Sequence, residues 1–248
     1  MEQIAHEKEK ELYEAKIDFF TNVAHEIKTP LTLIKGPLEK VMRQSADTPD
    51  IQKNLGMMTR NTDRLINLTN QLLDFRQTEV KGFSLNFTQI NVSHLLQETF
   101  SDFRSLAEKK NIVYRFNEEK QDIFAAVDEE ALNKIFSNLF SNAIKYAASR
   151  VIASIRKEPQ HFVVEIANDG YHIPAENRER IFEPFYRLKE TEKQKGTGIG
   201  LALSRSLAIL HKGKLYLKEG GDQHINVFVL SIPLSPEDNE TKNDPAII

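Results

Sequence analysis

The 248 residues are 40% hydrophobic and 28% charged, a globular composition with enough apolar side chains to bury a real core. Lys and Arg number 33 and Asp and Glu 36, and they are spread evenly along the chain. The net charge is −3, and no basic face of the kind that nucleic-acid binding demands is present. The absence of cysteine excludes disulfides, thiolate nucleophiles, Cys-ligated zinc and iron–sulfur clusters. No apolar run approaches the ~18 residues that a membrane-spanning helix needs.

The first sixteen residues, rich in Glu and Lys, are too charged for a signal peptide and read as a solvated upstream extension of a helix. From Ile17 the apolar residues step by three and four: Ile17, Phe20, Ala24, Ile27, Leu31, Ile34, Leu38 and Val41. This is a heptad-like seam. Pro30 and Gly36-Pro37 interrupt it, and interior prolines kink helices, so a bent first helix is expected. Ser45-Ala46-Asp47-Thr48-Pro49-Asp50 carries turn chemistry. The stepping then resumes with Ile51, Leu55, Met58, Thr62, Leu65, Thr69, Leu72 and Phe75. Two helices on a short turn form an antiparallel hairpin. A lone hairpin cannot enclose its seam, so two copies are expected to pair as a four-helix bundle.

After Lys81-Gly82 the periodicity changes. Short strand-type runs at 83–87, 112–116, 123–127, 151–155, 162–166, 214–217 and 225–232 alternate with helical stretches near 92–109, 129–147 and 199–211. This order predicts an α+β domain, an α/β sandwich of one sheet layered with helices. The expected organisation is a helical hairpin over 1–80, an α+β domain over 84–234, and a polar tail or linker over 235–248.

His25 directly follows seam residue Ala24, which puts it on the solvent-facing shoulder of the first helix. Thr29 lies one turn on, at i+4. Imidazole is a competent nucleophile at neutral pH when one nitrogen is free and the other is held. A carboxylate that accepts the Nδ1 proton, such as adjacent Glu26, leaves Nε2 exposed and suited to attack a phosphoryl group. The zinc pattern HExxH is ruled out by Thr29. On the second helix of the α+β half, Asn138 and Asn142 are i and i+4 and project from one face. Only ten glycines are present, yet three fall in Gly196-Thr197-Gly198-Ile199-Gly200, directly before an apolar helix that begins with Leu201. Glycines at a helix start let backbone N–H groups converge on anionic oxygen. The loop is neither a Walker A loop nor a GxGxxG dinucleotide signature.

The stretch His25-Glu26-Ile27-Lys28-Thr29-Pro30-Leu31 resembles the phosphoacceptor box of sensor histidine kinases. Asn138-Leu139-Phe140-Ser141-Asn142-Ala143-Ile144-Lys145-Tyr146 is similar to the family's N box. Ile181-Phe182-Glu183-Pro184-Phe185-Tyr186-Arg187 is similar to its F box, and Gly196-Thr197-Gly198-Ile199-Gly200-Leu201-Ala202-Leu203 to its second glycine box. The four boxes stand in the family's order over roughly residues 10–234. The resemblance implies a dimerisation and phosphoacceptor hairpin followed by an ATP-binding domain of the gyrase, Hsp90, histidine kinase and MutL type. It implies ATP and Mg²⁺, autophosphorylation of His25 with Glu26 as base or orienter, and transfer to an aspartate of a response-regulator receiver domain. Thr29 would position a water for phosphatase action. Asn142 would contact Mg²⁺ directly, Asn138 would support phosphates, Lys145 would neutralise them, and Tyr146 would lie near the base. Gly196, Thr197, Gly198, Gly200 and Leu201 would form the phosphate loop, with 189–195 as its lid and 78–82 as the interdomain hinge.

The first glycine box departs from the family's Asp-x-Gly-x-Gly. Aligned on Gly170 and Ile173-Pro174, Asn168 stands at the Asp position that accepts the adenine amino group, and His172 at the second Gly. An amide oxygen there lacks charge assistance, a loss of about 1 kcal/mol or about fivefold in affinity, unless Asp169 swings in. Asn168→Asp is therefore expected to tighten nucleotide binding. The alternative that these departures motivate is a scaffold that dimerises and binds a regulator without chemistry. The resemblance further implies the cytoplasmic portion of a membrane-anchored sensor, whose membrane segments are absent from this chain. The Asn-Asp-Gly-x-x-Ile-Pro style is similar to the kinase cores of hybrid two-component regulators.

Overall fold

The structure, a computed structural model, describes residues 24, 27–43, 49–79, 84–117, 122–191, 194, 197–218 and 225–236. The chain divides into two units, Met1–Lys81 and Gly82–Ile248. Among the described residues no helix is long and apolar enough to cross a membrane.

The first unit is a helical hairpin. Helix α1 covers 27–43 and α2 covers Pro49–Glu79. The proline at the start of α2 suits a first-turn position, where its lacking N–H has no intrahelical partner to lose. Among the described residues the expected seam divides into two stripes, which step by seven except for Leu72 and Phe75 at the end of α2. One is buried within the hairpin: Ala24, Leu31 and Leu38 on the first helix, and Leu55, Thr62, Thr69, Leu72 and Phe75 on α2. The other is exposed: Ile27, Ile34 and Val41 on α1, and Ile51, Met58 and Leu65 on α2. Lys35 and Asp63 join the helices by an ion pair at 2.6 Å. Gln52 Nε2 donates to the Met42 carbonyl at 2.5 Å near the turn end. Helix α1 runs unbroken through Pro30 and Gly36-Pro37. Thr32 Oγ1 donates to the Lys28 carbonyl at 2.9 Å, a local supplement in the turn where Pro30 removes a backbone donor.

The second unit is an α/β sandwich. Its strands are β1 (Thr88–Asn91), β2 (Val113–Asn117), β3 (Phe124–Val127), β4 (Arg150–Lys157), β5 (His161–Asn168), β6 (Lys214–Leu217) and β7 (Asn226–Pro233). Its helices are α3 (Val92–Asp102), α4 (Arg104–Lys109), α5 (Glu129–Tyr146) and α6 (Gly200–Leu210). The main sheet has the order β2-β4-β5-β7-β6; β2 runs parallel to β4 and the other neighbours are antiparallel. Strands β1 and β3 form a separate antiparallel pair. Burial alternates strictly along β4, the signature of a sheet with one covered face. Helices α3, α5 and α6 supply the cover, and the core between holds Leu132, Ile135, Phe136, Phe140, Phe162, Ile166 and Leu203.

Two expected elements differ. The first strand is Thr88–Asn91 rather than 83–87. Residues 84–87 form no ladder, because the Asn86 N–H is satisfied by the Asp128 carboxylate at 2.8 Å. The helix expected over 92–109 is two helices that meet at Phe103, a turn residue whose N–H bonds to the Ser101 carbonyl. The tail beyond 236, the turn at 44–48 and most of the expected hinge lie outside the described residues.

Asp128 caps α5 through the Ala131 N–H at 2.9 Å, and Glu129 and Glu130 add negative charge to the first turn. The Asp128 N–H in turn donates to Nε2 of His211 at 3.1 Å, while His211 Nδ1 donates to the Leu207 carbonyl at 2.8 Å. Both ring nitrogens are committed to the neutral form. Burial pushes the imidazole pKa below its usual 6.5, against the opposing pull of the Leu207 carbonyl and the Asp128 charge. The unfolded chain therefore takes up a proton at this position before the folded one does, and stability falls as pH drops below 6.5. Removing the acceptor by His211→Ala should cost about 1–3 kcal/mol at pH 7.5. Urea unfolding of both forms should show that gap narrowing between pH 7 and pH 5.

Candidate functional site

The candidate site lies along α5 and where that helix meets α6. Asn138, in the middle of α5, donates through Nδ2 to the Gly200 carbonyl at 3.4 Å and to Ser204 Oγ at 3.3 Å. One turn on, Asn142 is half-buried on the same face. Lys145 and Tyr146 close the helix. The Lys145 ammonium donates to the Tyr146 hydroxyl at 2.8 Å and sits 4.4 Å from the ring centroid. Lys110 Nζ reaches the carbonyls of Ile144 and Lys145 at 3.2 and 3.3 Å, which neutralises the negative end of α5.

Helix α6 begins differently from α3 and α5. Those two have side-chain caps, Asn91 and Asp128; α6 follows Ile199 with no side-chain cap. Its first-turn N–H groups are therefore left for an external acceptor. Gly198 precedes them at φ +76°, a left-handed conformation that suits glycine, and a Cβ there would lie 2.8 Å from the Phe185 carbonyl carbon. Phe185 itself has φ +66°, and its N–H donates to the Gly198 carbonyl at 3.0 Å. The Thr197 hydroxyl accepts the Ile199 N–H at 3.2 Å. The F-box segment thus seats the glycine loop from below. Arg187, at its end, reaches the carbonyls of Thr191 and Gln194 at 3.3 and 2.5 Å and holds the described part of the expected lid.

At the C-terminal end of α5 the first glycine box packs against Tyr146. A Cβ on Gly170 would fall 2.0 Å from the Tyr146 carbonyl oxygen, so only glycine allows this approach. Asn168 is buried at the end of β5, where its Oδ1 accepts from Asn226 Nδ2 at 3.1 Å. Asp169 does not swing toward a base. Its Oδ1 accepts the N–H groups of Ala148, Ser149 and Arg150 at 2.8–3.1 Å, and its Oδ2 accepts the Ser149 hydroxyl at 2.5 Å. Partial burial opposes the charge, but the donors from Ser149 and Arg150 outweigh it and hold the carboxyl at about 2. Asp169 is a clamp on the turn that leaves α5. His172 is exposed on the loop beyond.

The structure brings together Asn138, Thr197, Gly198, Gly200 and Leu201 beside the middle of α5, and Tyr146, Asn168 and Gly170 at its C-terminal end. His25, Glu26 and Gly196 lie outside the described residues; Thr29 is exposed on α1. Sequence reasoning missed Ser204 and Asn226. Ser204 was detectable as a polar residue one turn into an apolar helix. Asn226 was detectable as an amide in a strand otherwise made for the core.

Two family models match in order: the His Kinase A (phospho-acceptor) domain over residues 15–80 and the histidine kinase-, DNA gyrase B- and HSP90-like ATPase over residues 127–236. Histidine kinase P4 of Formosa agariphila is 32% identical over 94% of this chain and 18% of that protein. Sensor histidine kinase WalK of Bacillus subtilis is 28% identical over 80% of this chain and 34% of its own length. The chain spans only a minor part of these relatives. Among solved structures, the histidine kinase ThkA in complex with response regulator protein TrrA matches with TM-score 0.64 and 25% identity, over 96% of this chain and 68% of that one. Full-length ShkA in complex with AMPPNP matches with TM-score 0.72 and 21% identity, over 88% and 47%, a likeness of fold.

Asp169→Asn removes charged acceptance from three backbone donors and should lower the thermal midpoint of the α+β domain at pH 7. Its carboxyl falls from 3.8 to about 2 on folding, so the wild-type advantage is fully present above pH 3.8 and is lost as pH falls through about 2. Melting both forms from pH 7 to pH 2 checks this convergence. Gly198→Ala should cost about 1–3 kcal/mol from backbone conformation and crowding against Phe185, read by the same melts.

Proposed function

The chain belongs to the sensor histidine kinase family, and on that premise we propose that it autophosphorylates His25 from Mg-ATP and passes the phosphoryl group to a receiver-domain aspartate. The observation that carries the nucleotide half of this reading is the uncapped start of α6, opened by left-handed Gly198 and joined to Asn138 of α5. Backbone donors at a helix start, with glycine in place of side chains before them, suit an anionic ligand. The residues fit ATP: phosphates at Thr197, Gly198, Gly200 and Leu201, with Gly196 upstream of them, Asn138 and Lys145 beside them, and Tyr146 with Asn168 and Gly170 at the base end. Mg²⁺, held by the Asn142 amide oxygen and phosphate oxygens, supplies charge neutralisation when bound.

In the transfer, His25 Nε2 bonds to the γ-phosphorus as the bond from that phosphorus to the bridging oxygen breaks, and ADP leaves. Glu26 accepts the hydrogen bond from Nδ1–H and stabilises the cationic ring that forms. Thr29, exposed one turn along, is placed to orient a water against a receiver's phosphoaspartate, which supports a phosphatase activity. The exposed stripe of Ile27, Ile34, Val41, Ile51, Met58 and Leu65 supports homodimerisation through the hairpin. The solved complex of ThkA with TrrA supports a response regulator as partner. Nothing in the charge balance favours nucleic acid. We place the chain as the cytoplasmic core of a membrane-anchored sensor, possessing no spanning helix among its own described residues.

Incubation with labelled Mg-ATP should give acid-labile, base-stable phosphate on the wild type and none on His25→Ala. Label absent from both forms, under conditions where nucleotide binds, overturns the kinase reading in favour of the scaffold.

A further inference from the structure

The pair Asn168 and Asn226 determines which polar atom the base end of the nucleotide site presents. The two are register partners on β5 and β7, each only 4% exposed. Amide orientation is usually ambiguous, because oxygen and nitrogen have the same shape. Here the backbone decides it. The Ile173 N–H can only donate, and it meets the Asn226 amide at 3.0 Å, so that atom is Oδ1. The other end of the amide is then Nδ2, which reaches the Tyr171 carbonyl at 2.9 Å, a group that can only accept. The same Nδ2 lies 3.1 Å from the Asn168 side chain, so the Asn168 atom it meets is Oδ1. What Asn168 has left is Nδ2, a pure donor that makes no hydrogen bond to a described residue.

The position of this donor along the site follows from α5. Asn138, at the uncapped start of α6, and Tyr146, against which Gly170 packs, are eight residues apart, about 12 Å along the helix axis. A nucleotide with its phosphates at the first end lays its base toward the second. This inference rests on the nucleotide reading proposed above, and deepens it.

We propose that Asn168 reads the purine through a donor, so that the site takes 6-keto purine triphosphates, GTP and ITP, alongside ATP. The 6-amino group of adenine presents N–H donors, which oppose a donor at Asn168; the O6 of guanine or hypoxanthine accepts from it. Adenine retains N1 as an acceptor, so ATP binds too, without the usual preference. A carboxylate at 168 has the opposite effect: it keeps the bond from Asn226 and offers its second oxygen to an amino group.

The test is competition of ATP, GTP and ITP against a fluorescent nucleotide on the full chain. Wild type should bind all three within about tenfold of one another. Asn168→Asp should shift the ratio of ATP to GTP affinity toward ATP by about ten- to hundredfold, the worth of an accepted charged hydrogen bond against a repelled oxygen. Asn226→Ser, whose hydroxyl donates or accepts, frees the Asn168 amide to turn and should move the ratio the same way, which covers the case of a poorly folding Asp variant. A wild type that prefers ATP over both others by more than about a hundredfold, or a ratio unmoved by both variants, overturns the proposal. If no nucleotide binds the wild type, the nucleotide reading falls first, and the ATP arm alone reports that.

Discussion

The site depends on the register of α5 against α6, which run antiparallel and are pinned at two points. At one, Asn138 donates to the Gly200 carbonyl and to Ser204; at the other, the Asp128 N–H donates to His211. Ten residues separate the pins on α5 and eleven on α6, about 15 Å on each. The lengths match, so neither helix can slide without breaking one pin. Apolar packing alone would not prevent this, because ridges and grooves repeat along a helix. Polar pins in an apolar interface add little net stability and much uniqueness. Neutral His211 is part of that uniqueness, since a protonated ring could no longer accept from Asp128.

That register places a free helix start beside the asparagine face. It also explains why the glycines are so few and so placed. Gly170 and Gly198 stand where backbone meets backbone, at Tyr146 and at Phe185, and a Cβ would separate the layers. The remaining loop geometry is held by side chains, with Asp169 gathering four donors at the turn after α5. Acid, base and amide thus divide their roles by what they can accept: Asp169 satisfies a turn, His211 a helix junction, and Asn226 a buried strand end.

Much of this was legible in the sequence, for reasons that can be named. The seam of both helices, the sheet strands after 112 and helix α5 follow from periodicity, which burial enforces directly. The first strand was misplaced because Phe83, Leu85 and Phe87 alternate like a strand, while the actual pairing is set by Asp128, a distant side chain that satisfies Asn86 instead. The chain pattern could not show that Asp169, next to the aligned Asn168, faces the opposite way. Neighbours on an extended chain point to opposite sides, so the one buried toward Asn226 and the one turned to Ser149 share no surroundings. Asn226 was invisible because its importance comes from register with Asn168, a fact of strand pairing across almost sixty residues.

The segment from Phe182 to Leu188 joins the short 3-10 turn that follows it to the glycine loop at 197–198. Phe185 and Gly198 are both left-handed and joined by a hydrogen bond, so each conformation is held by the other. A left-handed phenylalanine costs of order 1–3 kcal/mol and persists only where its surroundings over-determine it. Here they do. Leu188 and Phe182 are buried on either side, and the Arg205 guanidinium lies 4.8 Å from the Phe182 ring while it pairs with Glu179 at 2.7 Å. Two residues on, Arg187 holds the carbonyls of Thr191 and Gln194. Residues 185–187 therefore tie the loop at 197–198 to the carbonyls of Thr191 and Gln194. Strain, cation–π contact and glycine conformation meet in one short segment, and the Arg187 side chain alone carries its link on to the carbonyls of Thr191 and Gln194.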